Sequence, residues 1–465
     1  MSCFFCLYSL KKGKQMTLSV VILAAGKGSR MFSEKPKVLH ELSNQPLLQY
    51  VINAARNLKP VNINVVVGYK SKLVEQEFSK EDINWVVQKE QLGTGDAVKY
   101  TTPFIEGSQT LVLYGDVPLI DLNDLKKLIQ VSENGLGILT FDKKNPKGYG
   151  RIKRTEVGVE GIIEEKDCSK TEKKITEINT GIMCIDTSKL NNWLSQIDDN
   201  NSQKEYYLTD IVALAKKDNT KIVTHEAKNE STVSGINSKA ELIAMEKIMK
   251  QKKNEELIEQ GVTIIDSSRT EIRGSLVCGA DVEIDVGCIF EGDVKLGNNV
   301  KVGAYTHLKD SNILDNSNIK PYSHIDTSEV GMNNNIGPYA RLRPGAKTKN
   351  NVNIGNFVEI KNSIVGAGSK INHLSYVGDS EVGKNVNIGA GCITCNYDGV
   401  NKHKTVIEDD VFIGSNSQLV APLTISAGST IGAGSTITKD TPANQLSLAR
   451  SKQTSIPSWE RPKKI

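Results

Sequence analysis

Residues 407–437, IEDDVFIGSNSQLVAPLTISAGSTIGAGSTI, place an aliphatic side chain at every sixth position: Ile407, Ile413, Leu419, Ile425, Ile431 and Ile437. Gly414, Gly428, Gly432 and Gly434 fall between them. A repeat this short means a β-solenoid, in which one aliphatic residue per hexad points into a narrow axis and small residues turn the corners. With three hexads to a turn, Ile413 stacks on Ile431. Earlier stretches keep the period in phase-shifted runs: Ile284, Phe290, Leu296, Val302, Leu308 and Leu314; Ile354 and Ile360; Val365, Ile371 and Val377; Val382 and Ile388. So narrow an axis has little room for rings, in keeping with an aromatic content of only 5%.

Working outward, the glycines show where this architecture begins. Of 38, 17 lie in residues 1–273 and 21 in the stretch from Gly274 to Gly434. Two architectures therefore meet near residue 270, and 465 residues is enough for two or three domains. No apolar run reaches 18 residues, which argues against a membrane span, and 38% hydrophobic content argues against global disorder. The net charge of +4 is matched by the tail alone, where Arg450, Lys452, Arg461, Lys463 and Lys464 face only Glu460. A balanced body and a whole-chain pI near 8.4 do not fit a nucleic-acid protein; the tail is either a solvated end or a contact for an anionic ligand.

Eight cysteines in a long chain without a secretory signal read as reduced thiols of a cytoplasmic protein. Cys3-x-x-Cys6 and Cys392-x-x-Cys395 have metal or redox spacing, but one lies in a terminal extension and the other inside a Gly-rich repeat, so neither is assigned a metal. Residues 1–15 put the apolar stretch before the basic one, the reverse of a signal peptide, and Met16 is a candidate start.

The first half alternates β-rich pieces with helical patterns: SVVILAAGKGSRM from residue 19, INVVVG (63–68), INWVVQ (83–88) and TLVLYGD (110–116). Between Asp121 and Ile129 apolar residues at 122, 125, 128 and 129 predict a helix capped by Asp121. Such alternation means a mostly parallel, Rossmann-like sheet covered on both faces, with ligands beyond the carboxyl ends of its strands. Three strands end there in polar loops: Gly26-Lys27-Gly28-Ser29-Arg30, Gln88, and Gly115-Asp116. The glycine loop lets backbone N–H groups approach phosphate oxygens, and Arg30 and Lys37 add positive charge. It is neither a G-x-G-x-x-G fingerprint nor a P-loop, and a structural turn explains it about as well. Asp116, ending an apolar strand, suits a divalent ion carrying nucleotide phosphates or, more plainly, a turn.

LAAGKGSRM, KPKVLH (35–40), QLGTGDA (91–97), LYGDVPL (113–119), GYGRI (148–152), IIEEKD (162–167), EINTG (177–181) and SGIN (234–237) together resemble sugar-nucleotidyltransferases. The likeness is strongest to the uridylyltransferase half of the bacterial N-acetylglucosamine-1-phosphate uridylyltransferase/glucosamine-1-phosphate acetyltransferase family. The resemblance implies that Leu23, Ala24, Ala25, Gly26, Gln88, Gly93 and Thr94 hold the nucleotide of UTP and that Lys37 touches its phosphates. It further implies Tyr114, Gly115, Gly150, Glu164 and Asn179 on the sugar side, and Asp116 and Asn237 as Mg²⁺ ligands. Lys37 and Arg30 would carry the charge neutralisation that catalysis needs. Two positions depart from the pattern: Ser29 replaces a usual Thr, and Asp96 stands where His is common, putting a carboxylate near the expected base pocket.

After Asn237 the chain reads as one amphipathic helix ending near Gly261, with apolar residues at 242, 245, 248 and 249. Beyond it, Arg343, Lys361, His373, Tyr376, Asn387 and the insertion TCNYDGVNKHK (394–404) decorate the solenoid without serving its axis. His373, two residues after the inward Ile371, points outward near a corner. RLRPGA, NFVEIK, INHLSYVGD, NVNIGAG, ITCNYDG and FIGSNSQLVAP are similar to the acetyltransferase half of the same family, with its left-handed β-helix. By that likeness Arg343 and Lys361 hold the phosphate of glucosamine-1-phosphate, Tyr376 and Asn387 its hydroxyls, and His373 is the general base. Ala390, Asn396, Tyr397, Ser415, Ala433 and Arg450 contact acetyl-CoA, with Asn396 also reaching the oxyanion. Cys392 stands where the family often has Thr.

The expected organisation is a terminal extension (1–15), a uridylyltransferase domain (16–237), a helical linker (238–261), a β-helix acetyltransferase domain (262–449) and a basic tail (450–465). The expected activity is acetylation of glucosamine-1-phosphate followed by UTP-dependent formation of UDP-N-acetylglucosamine, a precursor for peptidoglycan and lipopolysaccharide. A cytoplasmic homotrimer without nucleic-acid or membrane partners is implied, its active sites lying between solenoids. The competing readings are a nucleotidyltransferase whose solenoid only oligomerises, and a solenoid that is a scaffold.

Overall fold

Leu18–Leu23 (β1) is an interior strand of the first unit's sheet, and its Val20, Val21 and Ile22 are wholly buried because both faces of the sheet are covered. The computed structural model describes residues 16–464; the readings made on residues 1–15, including Cys3 and Cys6, lie outside it. The chain divides into two compact units between Ile248 and Met249.

In the first unit Asn62–Val67 (β2), Asn84–Val87 (β3), Gln109–Tyr114 (β4), Leu136–Asp142 (β5), Glu177–Asp186 (β8) and Ile222–Glu226 (β9) join β1 in the order β9-β5-β8-β4-β1-β2-β3. Arg151–Thr155 (β6) and Gly158–Ile163 (β7) form a hairpin attached to β8. Pairings among β1 to β4 are parallel, while β8 runs antiparallel to both of its long neighbours. Helices Leu47–Asn57 (α1), Ser71–Glu77 (α2), Thr94–Thr101 (α3) and Leu122–Val131 (α4) alternate with β1 to β5, whereas Thr187–Leu194 (α5) and Ile211–Lys217 (α6) both lie between β8 and β9. As predicted, Asp121 caps α4: one carboxylate oxygen accepts from the N–H groups of Asn123 (2.7 Å) and Asp124 (3.0 Å).

Lys239–Glu259 (α7) follows. It stops in a Schellman turn: Val262 N–H donates to Leu257 O (3.0 Å) and Gly261 N–H to Ile258 O (3.0 Å), with Gly261 at φ +94°. Leu257 and Val262 are both buried in the core of the second unit, the apolar contact that accompanies this cap.

The second unit is a parallel coil whose rungs stack in register, with Ile413 on Ile431 as the hexads predict, and Ile371 on Ile388. Its axis is a column of buried, mostly aliphatic side chains from Ile284 to Ile437, in which Phe290, Thr348 and Thr394 also take inward positions. One expectation is corrected: Leu314 is exposed and Ile313 fills the axis instead, stacked below Val330. The reason is a short corner. Between Leu308 and Ile313 the chain turns in five residues through Asp310 in the left-handed region (φ 42°), and Thr327, Asn362 and Asp379 (φ 46°, 45° and 49°) close equivalent corners. Each such step moves the inward position by one, which is why the hexad runs change phase.

Candidate active sites

At the carboxyl edge of the first sheet, main-chain bonds tie the strand ends together: Ala24 N–H to Val66 O (2.8 Å), Gly115 N–H to Leu23 O (2.9 Å) and Gln88 N–H to Val67 O (2.8 Å). Beyond them opens a cavity of about 310 Å³. Its wall includes Leu23 to Gly26, Lys37, Gln88, Gly93, Thr94, Tyr114 and Asp116, all implicated by sequence, and also Gln91 and Glu205, which are not. Gln91 was within reach of sequence reasoning as the first residue of QLGTGDA; its amide braces the glycine loop by donating to Ala25 O (2.9 Å). Glu205 carries no signal of its own.

Lys37 reaches this edge because position 28 is glycine. Gly28 sits at φ +65°, and a Cβ there would stand 2.6 Å from Lys37 Cβ. The Lys37 ammonium pairs with the Asp116 carboxylate and donates to Asn237 Oδ1 (3.0 Å), so the two expected metal ligands converge on one cationic point. Arg30 is exposed on the 3₁₀ turn Ser29–Met31 and forms no part of the cavity wall. Gly115 is packed beneath Ala24, Val38 and Leu48, where a Cβ would crowd all three, and it does not itself line the cavity.

The sugar-side residues form a second group bordered by Tyr114. Asn179 N–H donates to Gly150 O (2.8 Å), and Gly150 lies so close to Glu164 that a Cβ would be 3.5 Å from its carboxylate. Glu164 accepts from Thr209 Oγ1 (3.0 Å), and burial raises its pKa. Burial, then the charges of Glu164 and Asp116, push the Tyr114 phenol well above its ordinary value, so it remains a neutral hydrogen-bonding group.

On the second unit the implicated side chains occupy consecutive rungs. Arg343 donates to Glu359 (2.8 Å). One rung on, Lys361 pairs with Asp379 (3.1 Å), whose carboxylate also accepts from Asn362 (2.6 Å) and from the amide of Asn396. Lys402, from the insertion, lies against Lys361, whose positive charge lowers its pKa. Sequence reasoning missed both Asp379 and Lys402, although the basic insertion that carries Lys402 is visible in the chain.

Tyr376 shares an outward column with Glu359 on this face. His373 and Asn387 stand on the adjoining one, where His373 Nδ1 meets Asn356 Oδ1 at 2.9 Å across one rung. An amide oxygen only accepts, so Nδ1 carries the proton and Nε2 is left as the basic nitrogen. Ala390, Ser415 and Ala433 follow one another along a corner: Asn416 N–H donates to Ala390 O (2.7 Å), Gly434 N–H to Ser415 O (2.8 Å), and Arg450 reaches Ala433 O (2.8 Å). Tyr397 is exposed, its hydroxyl donating to Gly399 O (2.6 Å). Cys392 is buried and Cys395 half-buried, and burial raises both thiols.

Among the described residues no group of three or more His, Cys, Asp or Glu side chains is placed to hold a metal, and no helix is long and apolar enough to cross a membrane. The family model of the MobA-like NTP transferase domain matches residues 20–149, that of the GMPPB C-terminal domain residues 272–348, and that of the bacterial transferase hexapeptide (six repeats) residues 404–439. The "Bifunctional protein GlmU" of Nitrosospira multiformis is 53% identical over 451 residues, 96% of this chain and 98% of its own. The proteins of that name from Methylobacillus flagellatus (51% identical; 96% of this chain, 98% of the relative) and Nitrosomonas europaea (54%; 97% and 99%) match along the same span. Two transferase units in one chain, each with its own cluster of polar side chains, and likeness of this degree from end to end lead to one conclusion: the chain belongs to the GlmU family of bifunctional uridylyltransferase/acetyltransferases.

Proposed function

We propose that the second unit acetylates glucosamine-1-phosphate with acetyl-CoA and that the first transfers a uridylyl group from UTP to the resulting N-acetylglucosamine-1-phosphate. The domains are residues 16–237 and 262–449, joined by α7. The observation that carries this division is that Lys37, Asp116 and Asn237 meet entirely within the first unit, while Arg343, Lys361, His373 and Asn396 belong entirely to the second.

In uridylyl transfer the sugar phosphate is already ionised and attacks without a general base. Its oxygen bonds to the α-phosphorus as the bond to the bridging oxygen breaks and pyrophosphate departs. The nucleotide lies in the 310 Å³ cavity, with Lys37 neutralising phosphate charge. Asp116 and Asn237 offer two hard oxygen donors aimed at a point where an ammonium already sits, which fits Mg²⁺ bound by few protein ligands and by phosphate oxygens. An ion held by these two residues would supply further neutralisation of the phosphates. Arg30, exposed beside the glycine loop, adds positive charge for the phosphates at that end of the site.

In acetyl transfer His373 Nε2 takes the proton from the amine as nitrogen attacks the thioester; the C–S bond then breaks and CoA leaves as its thiol once protonated. Asn356 holds the ring in the right tautomer. Asn396 donates one amide hydrogen to Asp379 and has a second for the oxyanion. Arg343, Lys361 and Lys402 bind the sugar phosphate, with Tyr376 and Asn387 on its hydroxyls; Ala390, Tyr397, Ser415, Ala433 and Arg450 face the cofactor. The protein acts as a cytoplasmic homotrimer, which would cover these outward groups. A column of stacked rings along one edge supports that assembly: Tyr305, Tyr322, Tyr339 and Phe357, each about half exposed, with centroids 5.3, 5.0 and 5.3 Å apart.

An assay with glucosamine-1-phosphate, acetyl-CoA and UTP, each omitted in turn, tests the scheme. Asp116→Ala should lower uridylyl transfer about a hundredfold or more and spare acetyl transfer, and His373→Ala should lower acetyl transfer about 10²–10⁴-fold and spare uridylyl transfer. Loss of both activities together in either folded variant contradicts the division.

A further inference from the structure

Gln88 follows β3 at the edge of the nucleotide cavity, and the whole residue is only 4% exposed. Its side-chain nitrogen donates to Asp96 Oδ2 at 2.8 Å and to Gly93 O at 3.2 Å. Both partners are acceptors only, one a carboxylate of the first turn of α3 and the other a peptide carbonyl. Turning the amide over would set its own oxygen against two oxygens and forfeit both bonds at a buried position. Gln88 Oε1 is therefore the end of the amide left to meet a bound base.

We propose that Asp96 is a positioning residue that locks the Gln88 amide with its acceptor toward the nucleotide, and so selects bases that present an N–H at ring position 3. Uracil and thymine carry that donor. Cytosine carries a lone pair at the same place and faces Oε1 acceptor to acceptor. An amide or hydroxyl at position 96 both donates and accepts, and would leave only the longer bond to Gly93 O opposing a turned Gln88 amide. The inference rests on the reading that this cavity binds a uridine nucleotide.

The test compares kcat/KM for UTP and CTP in the full-length wild type and in Asp96→Asn, with Asp96→Ser as a second variant. Acetyl transfer and the thermal midpoint serve as readouts of folding. The UTP-to-CTP ratio should fall about tenfold or more in both variants, mainly through KM, with acetyl transfer unchanged. An unchanged ratio, or an equal fall for both nucleotides, overturns the role of Asp96. A wild type that does not prefer UTP overturns the uridine reading itself, a different failure.

Discussion

Asp210 lies partly buried near Asp198, Glu164 and Asp167, and burial first, then those charges, holds its carboxyl up at about 6. The folded value exceeds the ordinary 3.8, so the fold prefers the neutral acid. The cost of ionising it is absent below about pH 4, grows between about pH 4 and 6, and is constant above. Asp210→Asn should therefore stabilise the protein by on the order of 2 kcal/mol at pH 7.5 and by nothing at pH 4, read from chemical denaturation at the two pH values. Residues of this kind show how far the sites were legible in the chain. Lys37, Asp116, Arg343 and His373 announce themselves because charged groups interrupt strand or hexad patterns. Asn356 and Asp379 do not, since each acts through a partner whose nearness depends on rung register, and Asp96 showed only as a departure from the family pattern, its partner Gln88 being set by a turn. Asn356 meets His373 only because one coil takes 17 residues, a spacing no local motif displays.

At the level of elements, periodicity was readable where it was pure. Residues 407–437 contain only full hexads, so their inward residues follow directly from the pattern. Upstream, one corner of several coils is a five-residue step closed by a left-handed residue, and Asp, Thr and Asn occupy those positions without differing visibly from ordinary loop residues. Extending the hexad across the first short corner led to Leu314 rather than Ile313. The two registers make opposite predictions: Ile313→Ala should cost about 2–5 kcal/mol and Leu314→Ala less than about 1 kcal/mol, measured by equilibrium unfolding. The reverse order would restore the uninterrupted six-residue count. In α7, by contrast, the stop at Gly261 was plain, because left-handed geometry at the end of a helix is the commonest task of a glycine.

For the molecule as a whole, the half-exposed ring column is the feature most at odds with a solitary prism. Replacing its middle members in Tyr322→Glu/Tyr339→Glu should dissociate a trimer into monomers in sedimentation and lower acetyl transfer more than tenfold, while uridylyl transfer persists. A trimer that survives with full acetyl transfer would place the interface on another edge. The stacking of rungs has a further consequence for what the second unit can recognise. Arg343 and Lys361 stand on adjacent rungs, and Lys361 reaches Asp379 beside Gly378 on the next, so neighbouring groups are separated by one strand spacing of about 4.8 Å. On the proposed assignment, substrate is measured against a scale with fixed graduations. A longer or shorter ligand cannot be met by sliding one group a little along the prism; its partner must be supplied by a different rung, so specificity on such a surface changes in whole steps.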